Sequence, residues 1–305
     1  MIGRLLASRG RNLTRREALE CYLFISPVCI GLLAFTIGPI LASLYFSFTE
    51  YNIIRAPKWV GLGKFHDLIQ DELFWQSLKV TSLYVVMHLP LSLVLALGIA
   101  LLMNQKVRGI IFFRTVYYLP SVVSGVAVAL LWMWIFNPEF GILNTLLALV
   151  NIQGPAWLFD EHWSLPAIAL MSLWGVGGSM LIYLAGLQGI PSELYEAAEI
   201  DGASRWRRFW FITLPLLSTV ILFNLVMGLI ASFQEFTPAY VMTSGGPNFS
   251  TLFYNYYLYE NAFEYLYMGY ASAMAWVLLV IVLILTLLVF KSSPMWVFYQ
   301  ERQKE

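Results

Sequence analysis

The stretch Pro191–Pro215, PSELYEAAEIDGASRWRRFWFITLP, decides how the rest of the chain is read. It is polar and charged, and it lies between two long apolar runs. Ser192 is placed to cap a first helix, with Glu193 and Glu196 in its first turns, where the macrodipole favours acids. Leu194, Ala197 and Ala198 share one face at helical spacing, and the small alanines leave room for a partner surface. Gly202 suits the left-handed turn that ends such a helix. Arg205, Arg207 and Arg208 follow, mixed with Trp206, Phe209 and Trp210. That mixture is expected of a helix re-entering a membrane at its cytoplasmic face. Pro215 fits the first turn of the next span. The pattern predicts a helix, a glycine turn and a second helix, hanging from the membrane as a docking surface. On composition alone, an ordinary charged loop between two spans is the plainer alternative.

Apolar residues make up 59% of the chain and charged residues 12%, where soluble domains are about a quarter charged. Length is therefore divided into membrane spans. A basic tail, Met1–Glu20, carries Arg4, Arg9, Arg11, Arg15 and Arg16, and a run free of Asp, Glu, Lys and Arg follows from Cys21 to Thr49. That run is too long for a signal peptide and shows no small-residue cleavage site, so it reads as an uncleaved first span. Val80–Gln105, Thr115–Pro138, His162–Ser192, Phe209–Gln234 and Tyr265–Phe290 are five further windows without those charges. Phe140–Phe159 is interrupted by Asn144, Asn151, Gln153, Gly154 and Pro155, and Phe236–Tyr259 by Gly245, Gly246 and Pro247, so neither holds a span. The expected fold is all-α: a polytopic membrane protein with six transmembrane helices, near 21–48, 80–104, 115–137, 164–188, 212–234 and 268–290. A tail precedes residue 21, the coupling loop occupies 190–215, and a second tail covers 291–305.

Fourteen of the 18 Lys and Arg residues fall on one side of these spans, in the tails and in the loops around Lys106 and Pro191. The other four, Arg55, Lys58, Lys64 and Lys79, share the first opposite loop. Both termini and the Pro191 loop are therefore expected in the cytoplasm. The first outer segment, Glu50–Lys79, is polar enough for a small lobe, and Asn144–Asn151 suits a short amphipathic helix along the outer interface. The third outer loop turns at Thr243–Pro247 and then carries Tyr254, Tyr256, Tyr257 and Tyr259. These tyrosines read either as an interfacial aromatic belt or as a contact surface for an outer partner or a sugar. Both cysteines, Cys21 and Cys29, lie in the first span and read as buried apolar groups; with only three histidines, no metal-ligand cluster is visible.

The Glu196-Ala197-Ala198 to Gly202 pattern resembles the EAA loop of ABC importer permeases, through which a permease plugs into its ATPase. Every position of that pattern is filled. Elsewhere, Val60-Gly61-Leu62 before Phe65 resembles the family's V-G-L-x-N-F, with Lys64 where Asn is usual. Thr243 with Gly245-Gly246-Pro247, Ala262-Phe263 and Gly269-Tyr270-Ala271-Ser272-Ala273 resemble the segment leading into the last helix. The likeness is nearest the maltose- and lactose-type carbohydrate permeases of prokaryotic cytoplasmic membranes, and within them the first of the two permease partners. It implies a second homologous permease, two ATPase subunits that bind ATP and Mg, and an external solute-binding protein. It also implies ATPase-coupling roles for Glu193, Glu196, Ala197, Ala198, Asp201, Gly202, Ala203 and Arg207. No G-x-x-x-x-G-K-[ST] loop occurs, so no cofactor is expected in this chain itself. No nucleic-acid role is indicated.

Intramembrane polar groups are costly and often functional. Trp174 and Tyr183 in the fourth span and Asn224, Gln234 and Glu235 in the fifth are the candidate substrate path, since aromatic faces with hydrogen-bonding side chains suit a sugar. Each has a plainer reading: Trp174 packs, Asn224 bonds a neighbouring helix, Glu235 is wet. His88 beside Pro90 reads as a packing or kink feature. An ion-coupled secondary transporter would need mid-membrane ionisable groups and an internal repeat, and neither is seen. A membrane enzyme would need a catalytic set, and the outer-loop acids are scattered. Permeases for glycerol phosphate and for amino sugars share the architecture that the resemblance implies, so glycerol phosphate or another non-sugar cargo is the alternative. A phosphate path would favour cations, and no Lys or Arg lies inside an expected span.

Overall fold

The computed structural model describes the backbone of residues 2–298 and the side chains of 17–298. The tail arginines, Arg302 and Lys304 fall outside those side chains. In chain order the helices begin with α1 (Ile2–Leu32) and α2 (Gly38–Ser47), joined by a π-helical turn at Leu33–Ile37. A small hairpin follows, β1 (Thr49–Glu50) against β2 (Lys58–Trp59), antiparallel with Thr49 opposite Trp59. Then come α3 (Gly63–Gln70), α4 (Glu72–Met103), α5 (Ile110–Tyr118), α6 (Gly125–Ile135), α7 (Ile142–Leu149), α8 (Ser164–Leu173) and α9 (Gly177–Gln188). The chain continues through α10 (Ser192–Ile200), α11 (Arg205–Arg208), α12 (Leu214–Phe233), α13 (Tyr254–Tyr259) and α14 (Met268–Ser292). Apart from the hairpin, the described residues form no strand.

Four uninterrupted stretches are long and apolar enough to cross a membrane: Glu17–Ser47, Glu72–Met103, Arg205–Phe233 and Met268–Met295. The other two expected spans are not straight. Ile110–Val122 and Gly125–Ile135 meet at 98°, and Ser164–Leu173 and Gly177–Gln188 meet at 44°. The first break has a local cause. Pro120 opens a tight 3-10 turn at Leu119–Val122, and Val123 and Ser124 are non-helical, so α6 starts afresh at Gly125. At the second, Gly177 sits against α5: a Cβ there would lie 2.5 Å from the Tyr117 carbonyl oxygen and 2.8 Å from Tyr118 Cα. Only a glycine permits that approach.

The hub is α4, which packs against α8, α9, α12 and α13, while α14 packs on α2, α3 and α12. On α4, Ala96 and Ala100 are fully buried one turn apart, in a cluster with Met180, Tyr183 and Leu217 of α9 and α12. Small residues at such a seam let neighbouring backbones approach closely. A larger cluster joins Phe74, Tyr84 and Leu89 of α4 to Phe253, Tyr254 and Met274. By contrast, the apolar part of the first span is unburied within this chain. Cys21 and Cys29, on α1, are accordingly exposed within the described residues, not buried as expected.

The lobe expected on the outer side is held by stacking of Phe48 on Trp59, 5.5 Å apart, and ends at Asp71, whose carboxylate caps α4 by accepting from the Leu73 amide at 2.9 Å. Lys79, counted with that lobe, lies instead within α4. Arg114 lies within α5 and donates to the Met103 carbonyl oxygen at 2.8 and 3.2 Å, closing the end of α4. Asn144–Asn151 does contain a short helix, α7.

The tyrosine-rich loop corrects both expectations for it. Tyr254, Tyr256 and Tyr257 are buried. The Tyr254 hydroxyl donates to the Met274 carbonyl at 2.8 Å, and its amide donates to Thr81 Oγ1 at 2.8 Å. Tyr257 donates to Asp71 Oδ2 at 2.7 Å, and Tyr270 donates to the same oxygen. Tyr254 and Tyr257 lock α13 onto α4 and α14, so the three buried rings form neither a belt nor an exposed contact surface; Tyr259, the fourth, is half-buried.

Candidate coupling hairpin and cavity

α10 ends as the sequence predicts. Gly202 has φ +75°. The Ala203 amide donates to the Ala198 carbonyl at 2.8 Å and the Gly202 amide to the Glu199 carbonyl at 3.0 Å. This pair of bonds satisfies the last carbonyls of the helix around a left-handed residue. The cap at the other end is a correction. Pro191 occupies the N-cap position, Ser192 is already helical, and no side chain caps α10. The serine that caps is Ser204, whose hydroxyl accepts from the Arg207 amide at 3.3 Å and starts α11.

Two cross-links hold the hairpin in shape. Arg208 Nη1 lies 2.9 Å from Glu199 Oε2. The hydroxyls of Tyr195 and Thr213 are 2.9 Å apart, tying α10 to the π-helical turn Phe209–Thr213 that leads into α12. Glu193, Leu194, Glu196, Ala197, Asp201, Gly202 and Arg207 are exposed, while Ala198 and Ala203 are half-buried. Ile200 is 87% exposed at the tip. The tip thus exposes a β-branched apolar residue beside alanines and acids.

The path candidates do not converge on one place. Trp174 and Glu235 do share a cavity of about 300 Å³. Three interruptions of helix meet there: Pro120, Ser121 and Val123 from the α5–α6 break, Ser172, Trp174 and Gly175 from the α8–α9 break, and Glu235, Thr237 and Pro238 past the end of α12. Tyr84 and His88 of α4, Gly125 and Val128 of α6 and Met171 of α8 also line it. Tyr183 is elsewhere, 1% exposed in the α4–α9–α12 seam. Asn224 is buried on α12 and donates to the Val220 carbonyl one turn back, at 3.0 Å. Gln234 lines a separate, largely apolar cavity of about 700 Å³ between α12 and α14.

Ser172 donates to the Ile168 carbonyl at 2.9 Å, so its lone pairs are left to accept the Tyr84 hydroxyl, also at 2.9 Å. Tyr84 has one proton to give. Its contact with Glu235 Oε2, at 3.5 Å, is therefore weak. Glu235 keeps unused acceptor capacity towards the cavity, beside the Trp174 indole, which is 40% exposed. His88 stacks on Tyr84 at 5.1 Å and faces the Ser232 hydroxyl at 3.4 Å. Tyr84, Ser172 and Thr237 escaped the sequence reading, because nothing in their local spacing says that three distant helix ends meet.

Residues 88–294 match the family described as binding-protein-dependent transport system inner membrane component. The chain is 49% identical over 295 residues to the probable ABC transporter permease protein YesP of Bacillus subtilis (strain 168), covering 95% of each. It is 36% identical over 296 residues to the lactose transport system permease protein LacF of Rhizobium radiobacter, covering 94% of this chain and 99% of that one. Its backbone matches, with a TM-score of 0.81 and 23% identity, a chain from a bacterial ABC transporter involved in the import of the acidic polysaccharide alginate, over 97% of this chain and 99% of that one. That last likeness bears on fold. With a family match across more than half its length and a near-full-length relative, the chain belongs to the inner membrane components of binding-protein-dependent transport systems.

Proposed function

We propose that this chain is one of two permeases lining the path of an ATP-driven sugar importer, with both termini and the α10–α11 hairpin in the cytoplasm. Two separate ATPase subunits bind ATP and Mg, and an external solute-binding protein delivers the cargo. The observation that carries this is the hairpin: a glycine turn with its carbonyls satisfied, braced by Glu199–Arg208, presenting Ala197, Gly202 and Ile200 outward. A rigid, exposed hairpin rooted in a spanning helix suits transmission of force. Closure of the ATPases would drag α10, and the brace through Tyr195 and Thr213 would pass the motion to α12. Glu193, Glu196, Ala197, Ala198, Asp201, Gly202, Ala203 and Arg207 are the proposed coupling residues.

The bent pairs α5–α6 and α8–α9 each count as one crossing, giving six. Non-helical backbone at membrane depth is tolerated where it lines a cavity. The cavity where those breaks meet is the proposed cargo site, with Trp174 offering a ring face and Glu235 accepting hydroxyls. Among the five path candidates, Trp174 and Glu235 take this role. A carboxylate lining with no Lys or Arg favours an uncharged saccharide over a phosphate ester.

Affinity purification from the native membrane in mild detergent tests the assembly. A second permease and an ATPase with a phosphate-binding loop are expected to co-purify, and ligand screening of a captured binding protein names the cargo. Recovery of a lone chain or homodimer in several detergents would contradict the proposal.

A further inference from the structure

A groove of about 760 Å³ runs between α4 and the start of the fifth span. Its floor is Val94, Leu97, Gly98 and Leu101, and its rim carries Arg205 and Trp206. We propose that it holds an anionic phospholipid, one acyl chain along the α4 floor and the headgroup on Arg205. The inference rests on placing the hairpin at the cytoplasmic face.

Four observations converge on this occupant. First, the groove is polarised: an apolar floor about 10 Å long, the seven helical rises from Val94 to Leu101, ends at a cation. Second, that cation is uncommitted. Arg208 is paired with Glu199 and Arg114 with the Met103 carbonyl. Among the described residues, the Arg205 side chain has no ion-pair or hydrogen-bond partner. Third, Trp206 is 73% and Trp210 55% exposed, and exposed tryptophans beside arginine mark the headgroup level of a bilayer. Fourth, a Cβ on Gly98 would meet nothing within 4 Å, so the floor is open where a chain would lie.

Lys106 and Arg108 lie in the loop that follows α4, at the same end of that helix, and add to the positive field. Basic pockets between helices on the cytoplasmic side suit anionic headgroups. A free phosphate would leave the floor bare, and an apolar helix from another protein would leave Arg205 unpaired. Because Arg205 directly follows the Ser204 cap, a bound lipid would pin the base of the coupling hairpin to α4.

The test uses the complete importer in nanodiscs of phosphatidylcholine, with or without phosphatidylglycerol, and native mass spectrometry of retained lipid. Wild type should retain phosphatidylglycerol in preference to phosphatidylcholine. Arg205→Gln should cut that preference roughly fivefold, the worth of one basic residue at a charged surface. Gly98→Phe, which fills the floor, should lose retention of both lipids. Equal retention by wild type, an unchanged preference in Arg205→Gln, or displacement by soluble glycerol phosphate would overturn the proposal. The side assignment is tested apart: labelling of Arg205→Cys in intact cells by an impermeant maleimide would place it outside, whereas nanodiscs have no sides and still report on the groove.

Discussion

Two loops of this chain look alike in composition and end up as opposites. The α10–α11 hairpin and the tyrosine-rich loop around α13 are both polar, both turn on glycine and both separate long apolar spans. The second turns its rings inward, where Tyr254 and Tyr257 bond to Met274 and Asp71. The first turns its apolar residues outward, leaving Ile200 and Leu194 in the open. What separates them is where their hydrogen bonds close. The outer loop closes on other helices and is part of the core. The hairpin closes on itself, through the turn at Gly202 and the Glu199–Arg208 pair, and leaves a face unused. That unused face is what the proposed docking role rests on.

The sharpest way to break this contrast is at Gly202. A non-glycine residue in the left-handed region costs about 1–2 kcal/mol, yet nothing within the chain crowds the position. Gly202→Asp should therefore leave a folded protein while abolishing coupling. If the site is central to an interface, a loss of about 2 kcal/mol or more, roughly thirtyfold, is expected. Transport assayed beside ATP hydrolysis in the reconstituted importer measures it, and an intact ratio of the two would sink the assignment.

Asp71→Ala probes the opposite loop. It removes the α4 cap and the acceptor for Tyr257 and Tyr270. The expected loss is about 2 kcal/mol of stability, read as a lower Tm in detergent, with coupling of the surviving protein unchanged. A coupling defect at constant Tm would show that the outer loop is more than core.

At the cavity, Trp174→Ala and Glu235→Gln should each raise the half-saturating cargo concentration by about tenfold, the scale of one charge-assisted contact. Tyr183→Phe, buried in the seam without a bonded hydroxyl partner among the described residues, should leave it unchanged. The reverse order of effects would move the cargo site.

Smallest is Glu199→Gln. Its side chain is 73% exposed, and exposed ion pairs contribute only about 0.2–1 kcal/mol. A shift in stability within that range, with coupling retained, is expected. A complete loss of coupling would mean that Glu199 itself touches the ATPase.

Much of this was legible in the residues, and the exceptions are instructive. The Gly202 turn could be read because one residue type serves one backbone conformation there. Spans could be found because hydrocarbon excludes charge over a fixed length. The same criterion is blind to direction: Thr115–Pro138 is free of charge throughout, so its 98° bend at Pro120–Ser124 did not interrupt the window. Ser192 was assigned a cap that Pro191 had displaced, since one residue of register decides which group is last outside the helix. The cavity was half visible. Trp174 and Glu235 stood out as polar or aromatic groups in apolar runs, whereas Tyr84 and Ser172 matter only because α4 and α8 pack together.

The central claim, that Ser192–Arg208 is where an ATPase grips this chain, is tested most directly by site-specific cross-linking in membranes. Ala197→Cys would carry a short photoactivatable probe, with Phe263→Cys on the outer loop as its counterpart; both positions are exposed. The account predicts an adduct between position 197 and an ATPase subunit whose yield changes when ATP is added, and none from position 263. An ATPase adduct from 263, or none from 197 in membranes that transport normally, would contradict it.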